Sequence, residues 1–414
     1  MKKFLIIFFW LLSIASAALY TYENPEQLDK IKKYLKDEKN LVLGDKGEIL
    51  RTPGNSFMIE FSKVVSFSKK TAFIIHDEKS LNFKKKDLKI YFQNGDLFNN
   101  SNLKKTNLSK NFTTIRNGGI KTVFIYKNKA FALVSSLLNK CYYASIISLN
   151  NANEIFKTKC LPKKKIDFNG LGSSHIHTKD SILLSIGTPE QESSEIRQLA
   201  QNKNSMFGKI IAINKKNLDE VIKGSKTNLE VKIFTLGHRN PQGFTKINES
   251  YFSVEHGPKG GDELNRIIKG KNYGWPKVSY GTQYVYDEKG KSYDINHERN
   301  QFEEPLFAFV PSVGISALNQ CPTILKKYYQ KPCLLALSLY GNSLRRGRSI
   351  IIYLLNEEKN KIHSIERIHL RDDLKLRHFV TNSKNEIYED KDGNIFISAD
   401  RKGIYKLSFK YFRN

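Results

Sequence analysis

The feature that most constrains this fold is a recurring unit. An apolar run, a polar turn and a second apolar run are followed, after a variable insert, by a third strand-like run. IKTVFIYKNKAFALVSS precedes YYASIISLN, and SSHIHTKDSILLSIGT precedes GKIIAINKKN. QGFTKINESYFSVEHG precedes DELNRIIKG, VGISALNQ precedes CLLALSLYG and SIIIYLL, and NEIYEDKDGNIFISAD precedes KGIYKLSF. The units start near residues 120, 174, 243, 313 and 386, a period of about 50 to 75 residues. Their β-branched and aromatic runs, bounded by Gly, Asn, Asp and Lys, read as strands. A repeating antiparallel unit of this size suits the blade of a β-propeller. Residues 41 to 100, with LVLGDKGEIL, FMIEFSKVV, TAFIIHDEKS and LKIYFQ, supply a sixth unit. The expectation is therefore all-β: a six-bladed β-propeller with four-stranded antiparallel blades and long loops on one rim. A large β-sandwich or two β domains fits the regular spacing less well. In a propeller, loops far apart in sequence meet around one central axis.

The ends and the bulk set further bounds. Lys2 and Lys3, the apolar run Phe4 to Leu12 and Ala15-Ser16-Ala17 have the layout of a secretory signal peptide, residues 1–17. That apolar run is too short for a confident membrane span, and no later one is long enough. The mature chain is expected to be soluble and exported, periplasmic or secreted, without stable membrane insertion. Residues 24 to 40 could form a short helix with Asn24 as cap and Pro25 at its first position. Of the 414 residues, 40% are hydrophobic and 12% aromatic, enough for a packed core. The net charge of +27 comes mainly from short lysine runs such as Lys84-Lys85-Lys86. A lysine-biased composition explains it more simply than nucleic acid, which is not an expected partner. Four cysteines form two close pairs, Cys141 with Cys160 and Cys321 with Cys333. In an exported chain they point to two local disulfides, with four buried thiols as the alternative. No CxxC or Cys/His cluster suggests zinc.

One stretch departs from the lysine-rich background: Gly237 to Pro276, reading GHRNPQG, a strand-like run, then EHGPKGGDELNRIIKGKNYGWP. Its first loop places His238, Arg239 and Asn240 side by side. Arg239 offers a fork suited to a carboxylate-bearing ligand. On the second loop the Gly257 and Pro258 carbonyls could face a hard cation, with Asp262 and Glu263 as ligands or as supports. The alternative is that both are ordinary blade turns. Residues 188 to 206 and 271 to 305 interrupt the repeats as long inserts, and such inserts often form binding surfaces.

These motifs carry a resemblance. GHRNPQG, then E-H-G-P-x-G-G-D-E-L-N, then G-K-N-Y-G-W-P resembles the soluble glucose/sorbosone dehydrogenase family in order and spacing. AQNKNSMFGKIIAIN, PLFAFVPSVGIS and the terminal DKDGNIFISAD with GIYKLSF are similar to further family segments. The likeness covers residues 118 to 410, and residues 18 to 117 are diverged. Residues 18–414 are read as one propeller domain. The resemblance implies a six-bladed propeller using pyrroloquinoline quinone (PQQ) and Ca2+ to oxidise an aldose sugar or a related alcohol or aldehyde. It implies cofactor or substrate contacts from Arg239, Asn240 and Gln242, and Ca2+ on the Gly257 and Pro258 carbonyls. An external electron acceptor and a monomeric or homodimeric state are expected with it.

The chain also departs from the family. Counting back without gaps from Ser185-Ile186-Gly187, the family's base histidine falls on Asn169, and an amide is no general base. The cofactor-binding lysine of the family falls on Tyr340. Its arginines in the last blade fall near Ser383 and Asn385, where Lys384, or Arg377 after a shift, could substitute. Two functional readings follow. One is a PQQ-dependent dehydrogenase whose base has moved to His238, His256 or the His175/His177 strand. The other is a non-catalytic propeller that binds carbohydrate or another surface ligand.

Overall fold

The computed structural model describes residues 42–43, 47–51, 57–161, 166–189, 194–283, 293–340 and 348–411. The expected signal peptide and the helix at 24 to 40 lie outside them. Contacts divide the chain into two units, residues 63–409 and residues 1–62 with 410–414. In the smaller unit, Val42–Leu43 and Gly47–Arg51 form an antiparallel pair. Gly47–Arg51 pairs in turn with residues 58–61.

Residues 63–409 form the expected six-bladed β-propeller. Five sheets have four strands each in simple sequential order. Blade 1 is Thr71–His76, Leu88–Phe92, Asp96–Asn99 and Asn102–Lys105. Blade 2 is Ile120–Tyr126, Lys129–Leu138, Cys141–Ser148 and Glu154–Lys157. Blade 3 is His175–His177, Ser181–Ile186, Lys209–Asn214 and Val231–Leu236. Blade 4 is Pro241–Ile247, Ser250–Glu255, Asp262–Ile267 and Phe307–Phe309. Blade 5 is Ile315–Gln320, Cys333–Ser338, Ser349–Leu355 and Ile362–His369. Blade 6 takes Leu376–Phe379, Ile395–Ala399 and the strand from Gly403 near the end of the chain. Its outer edge is completed by residues 63–66, which lie beside the last strand.

The pattern of burial explains why these runs become blades. Strands with apolar neighbours on both faces are buried throughout, as are Thr71–His76, the first strand of blade 1, and the middle strands Cys333–Ser338 and Ser349–Leu355. Outer strands alternate or are polar, and Asn102–Lys105 is wholly exposed with two lysines on the edge. The core is layered between blades. Phe124, Phe131, Ile182, Leu184, Ile211 and Ile213 fill the gap between blades 2 and 3. Leu264, Phe309, Leu334, Ile351 and Tyr353 do the same between blades 4 and 5. Each such side chain contributes about 1.5–3 kcal/mol by leaving water. Closure needs Gly403, whose φ is +142°. A Cβ there would collide with the Val65 carbonyl.

The repeat expected near residue 386 begins instead at Leu376. Its first strand, LRHF, carries an arginine and a histidine and gives no apolar signal. The sixth unit uses 71–105 rather than 41–100. Both cysteine pairs form disulfides, Cys141–Cys160 and Cys321–Cys333, with Cα separations of 5.3 and 5.4 Å. No helix among the described residues is long and apolar enough to cross a membrane.

Candidate active site

The first strands of all six blades run in the same sense around the axis. The residues that open them therefore converge at one end, together with the loops between each second and third strand. They enclose a cavity of about 640 Å³, within the range of small-molecule sites. Lys70 and Thr71 come from blade 1, Lys121 from blade 2 and Asn169 with Gly172 from the entry to blade 3. Arg239, Asn240, Gln242 and the His256–Gly260 loop come from blade 4. Gly314 and Tyr340 come from blade 5, and Arg377 with His378 from blade 6.

The GHRN and EHGP loops meet because one hairpin lies between them. Pro241 pairs with Glu255, so the residues before one and after the other share its open end. The Glu255 carboxylate fastens the first loop. It accepts from the Arg239 N–H at 2.7 Å and from Asn265 Nδ2 at 3.0 Å, and it meets His238 Nδ1 at 3.0 Å. His238 is fully buried, its Nε2 lies 2.9 Å from the Thr235 hydroxyl, and its ring stacks on Tyr273. Both its nitrogens are engaged and it does not line the cavity, so it supports Arg239 rather than acting as a base. The Arg239 guanidinium lies 5.3 Å over the Trp275 ring. Its Nη1 donates to the His256 carbonyl at 2.7 Å and the Gly257 carbonyl at 2.5 Å. Gln242 donates to Asn240 Oδ1 at 2.7 Å. Gly172 is glycine because a Cβ would run into Asn240, Pro241 and Gln242.

Asp262 lines the cavity but its charge is spent on the backbone. It accepts from the N–H groups of Gly257, Val313, Gly314 and Ile315 and from the Ser312 hydroxyl. It is a clasp between blades 4 and 5. Glu263 points to the other side, where Asn265 donates to it at 3.2 Å. Burial and the nearby Glu255 push its pKa up to about 8, so it is largely neutral at pH 7. No cluster of three or more His, Cys, Asp or Glu poised for a metal occurs among the described residues. The Gly257 carbonyl already accepts from Arg239. This donor set, as arranged, does not fit a divalent cation between the Gly257 and Pro258 carbonyls.

The remaining walls are basic. Among the described residues, five lysines and arginines line the cavity, Lys70, Lys121, Arg239, Lys259 and Arg377, against one carboxylate residue, Asp262. Arg377 pairs with Asp400 through two bonds, at 3.0 and 2.5 Å. Burial and Arg377 lower the pKa of Lys70. Burial, opposed by Asp167, brings Lys121 down to about 7. Burial and Arg377 hold His378 at about 4, and its Nε2 lies 3.2 Å from the Thr71 carbonyl. Burial holds His256 below the usual imidazole range despite Asp262.

The sequence-expected residues thus divide. Asn169, Arg239, Asn240, Gln242, Gly257, Pro258, Asp262 and Tyr340 share the cavity; His238, Glu263 and Lys384 do not line it. Lys384 lies at the far end of the first strands, where its field, with those of Lys215 and Lys246, acts on His177. Asn385 donates to the His175 carbonyl there at 2.8 Å. In blade 6 it is Arg377, not Lys384, that reaches the site. Sequence reasoning missed Lys70, Lys121 and His378. Their signal is positional, since each stands within two residues of the start of a blade's first strand.

The family description "Glucose / Sorbosone dehydrogenase" matches residues 126–404. Aldose sugar dehydrogenase YliI of Escherichia coli strain K12 is 31% identical over 132 residues, 30% of this chain and 33% of that protein. Sequence matches thus span about a third of the curated relatives' length. The crystal structure of soluble aldose sugar dehydrogenase from Escherichia coli in the apo form superposes with a TM-score of 0.61 at 19% identity. It covers 84% of this chain and 99% of that one. The PQQ-bound aldose sugar dehydrogenase of Streptomyces coelicolor gives 0.54 at 15% identity, covering 87% of this chain and all of that one. With a family match across most of its length, this chain belongs to the glucose/sorbosone dehydrogenase family.

Proposed function

We propose that the chain is an exported quinone-dependent dehydrogenase that oxidises an aldose sugar or a related alcohol or aldehyde. The single observation behind this reading is the convergence of Lys70, Arg239 and Arg377, from three blades, on one cavity of about 640 Å³. A flat tricarboxylate such as PQQ suits that donor set, because guanidinium forks bind carboxylates in two-point fashion. When bound, PQQ supplies an ortho-quinone that accepts a hydride. Arg239, braced by Trp275 and by carbonyls, would hold one edge of it, with Asn240 and Gln242 at its side. Arg377, aligned by Asp400, would hold the opposite edge. Family membership and the names of the relatives support the sugar as substrate, with an external electron acceptor to regenerate the quinone. No step is assigned to Ca2+, since Arg239 occupies the Gly257 carbonyl that would receive it.

The layout of residues 1–17 and the two disulfides support export to an oxidising compartment. The second reading, a propeller that binds carbohydrate without oxidising it, draws support from Asn169 in the base position. One experiment separates the two. The purified chain is titrated with PQQ by absorbance and then assayed for dye reduction with a panel of aldoses. The dehydrogenase reading expects saturable binding and turnover. Binding without turnover on any aldose would select the second reading, and no binding at tens of micromolar PQQ would overturn the quinoprotein assignment.

A further inference from the structure

The proposed oxidation needs a group to take the hydroxyl proton, and the amide of Asn169 cannot. The imidazoles near the cavity are poorly placed for this. His238 uses both nitrogens. His256 meets Asn240 Nδ2 through Nδ1, and its Nε2 is buried with no hydrogen-bond partner. His378 Nε2 is turned to the Thr71 carbonyl. His175 and His177 lie on the first strand of blade 3, beyond the cavity residues, and His177 faces the lysines of the far end.

The geometry points to Lys121 as the general base, acting from beside the Asn169 position; this rests on the dehydrogenase reading above. Lys121 is the second residue of the first strand of blade 2 and is among the residues that line the cavity. Its Nζ donates to the Asn117 carbonyl at 2.7 Å and to the Phe168 carbonyl at 2.9 Å. The second carbonyl belongs to the peptide bond that joins Phe168 to Asn169. A neutral amine has two N–H bonds and one lone pair. Two carbonyls take the two hydrogens, so the lone pair is left for a third partner.

The surrounding charges keep that amine available. Asp167 favours the ammonium form, while burial, Arg377 from blade 6 and Lys70 from blade 1 oppose it. Asp167 is itself held by Asn117 Nδ2 at 3.0 and 3.1 Å and by the Asn169 N–H at 2.8 Å. It is thus occupied with amides rather than closed on Lys121 as an ion pair. The balance brings Lys121 to about 7, matched to base work at neutral pH.

In the step, the O–H bond at the sugar's C1 breaks and its proton goes to Lys121 Nζ. The C1–H bond breaks as hydride, carrying its electron pair to the quinone oxidant. The C1–O bond becomes a carbonyl, and the lysine ammonium later returns its proton to solvent.

Two measurements test this. The first needs no turnover: acylation of Lys121 by acetic anhydride is followed across pH by mass spectrometry. A midpoint near 7 is expected, and one near that of an ordinary lysine, about 10.4, would overturn the proposal. The second compares Lys121→Met and Lys121→Arg, with folding checked by circular dichroism and PQQ binding by absorbance. Both should bind PQQ and lose about 10²- to 10⁴-fold in kcat, the usual worth of a general base. A lysine that only attracts cofactor carboxylates would be rescued by arginine, so rescue would overturn the proposal. Adding Asn169→His to Lys121→Met should restore turnover, with the acid limb of the pH profile moved from near 7 to about 6.5. An active wild type unaffected by Lys121→Met would overturn this inference alone. A wild type that binds no PQQ would overturn the dehydrogenase reading beneath it.

Discussion

At the scale of single residues, the site is defined by what its charged groups are already doing. Glu255 is a positioning residue that touches neither cavity nor ligand. Glu255→Gln sets an amide N–H against the donors of His238, Asn265 or Arg239. We expect a loss of about 2–3 kcal/mol, read from urea denaturation midpoints, together with weaker PQQ binding. Glu263 gives a pH signature. Its folded pKa, about 8, lies above its unfolded value, so the folded state holds more protons in between. Its contribution is fully present below about 4.3 and is lost as pH rises through 8. Unfolding free energy should fall relative to Glu263→Gln across that window, and parallel pH profiles for the two proteins would contradict the assignment.

At the scale of elements, the hairpin 241–255 and the Asp262 clasp decide where the loops stand. The motif residues were legible in sequence, because GHRN and EHGP are dense, distinctive strings. Their meeting depended on strand parity, which one intervening run hid and the register Pro241 to Glu255 reveals. The roles of His238 and Asp262 were not legible, since a side chain's partners come from other elements. Asp262 could be read as a cation ligand or as a loop support, and it is the second, a backbone acceptor for four N–H groups. Asp262→Ala should loosen the join between blades 4 and 5. The expected cost is about 3 kcal/mol or more, because buried donors lose their acceptor, with a matching loss of PQQ affinity by absorbance titration.

At the scale of the whole molecule, the propeller was visible as a repeat because blade cores need apolar runs at a fixed period. The first strand of blade 6 was the one hidden, because LRHF carries no strand pattern. Lys70, Lys121 and His378, single polar residues near the strand starts, emerge only once the ring is closed. Closure itself is testable. Gly403→Ala should lower the thermal midpoint, because the last strand can no longer approach Val65. Each disulfide closes a short loop, of 19 and 12 residues, and replacing either pair by serine should cost about 3 kcal/mol.

The central claim is that the ring of cations around Arg239 holds a quinone carboxylate without needing a divalent ion. Calorimetric titration of PQQ into the purified chain, in EDTA and then in Ca2+, tests it most directly. The account predicts saturable one-to-one binding in both buffers for the wild type, and a loss of about a hundredfold or more for Arg239→Ala. Binding that appears only with Ca2+, or that survives Arg239→Ala unchanged, would contradict it.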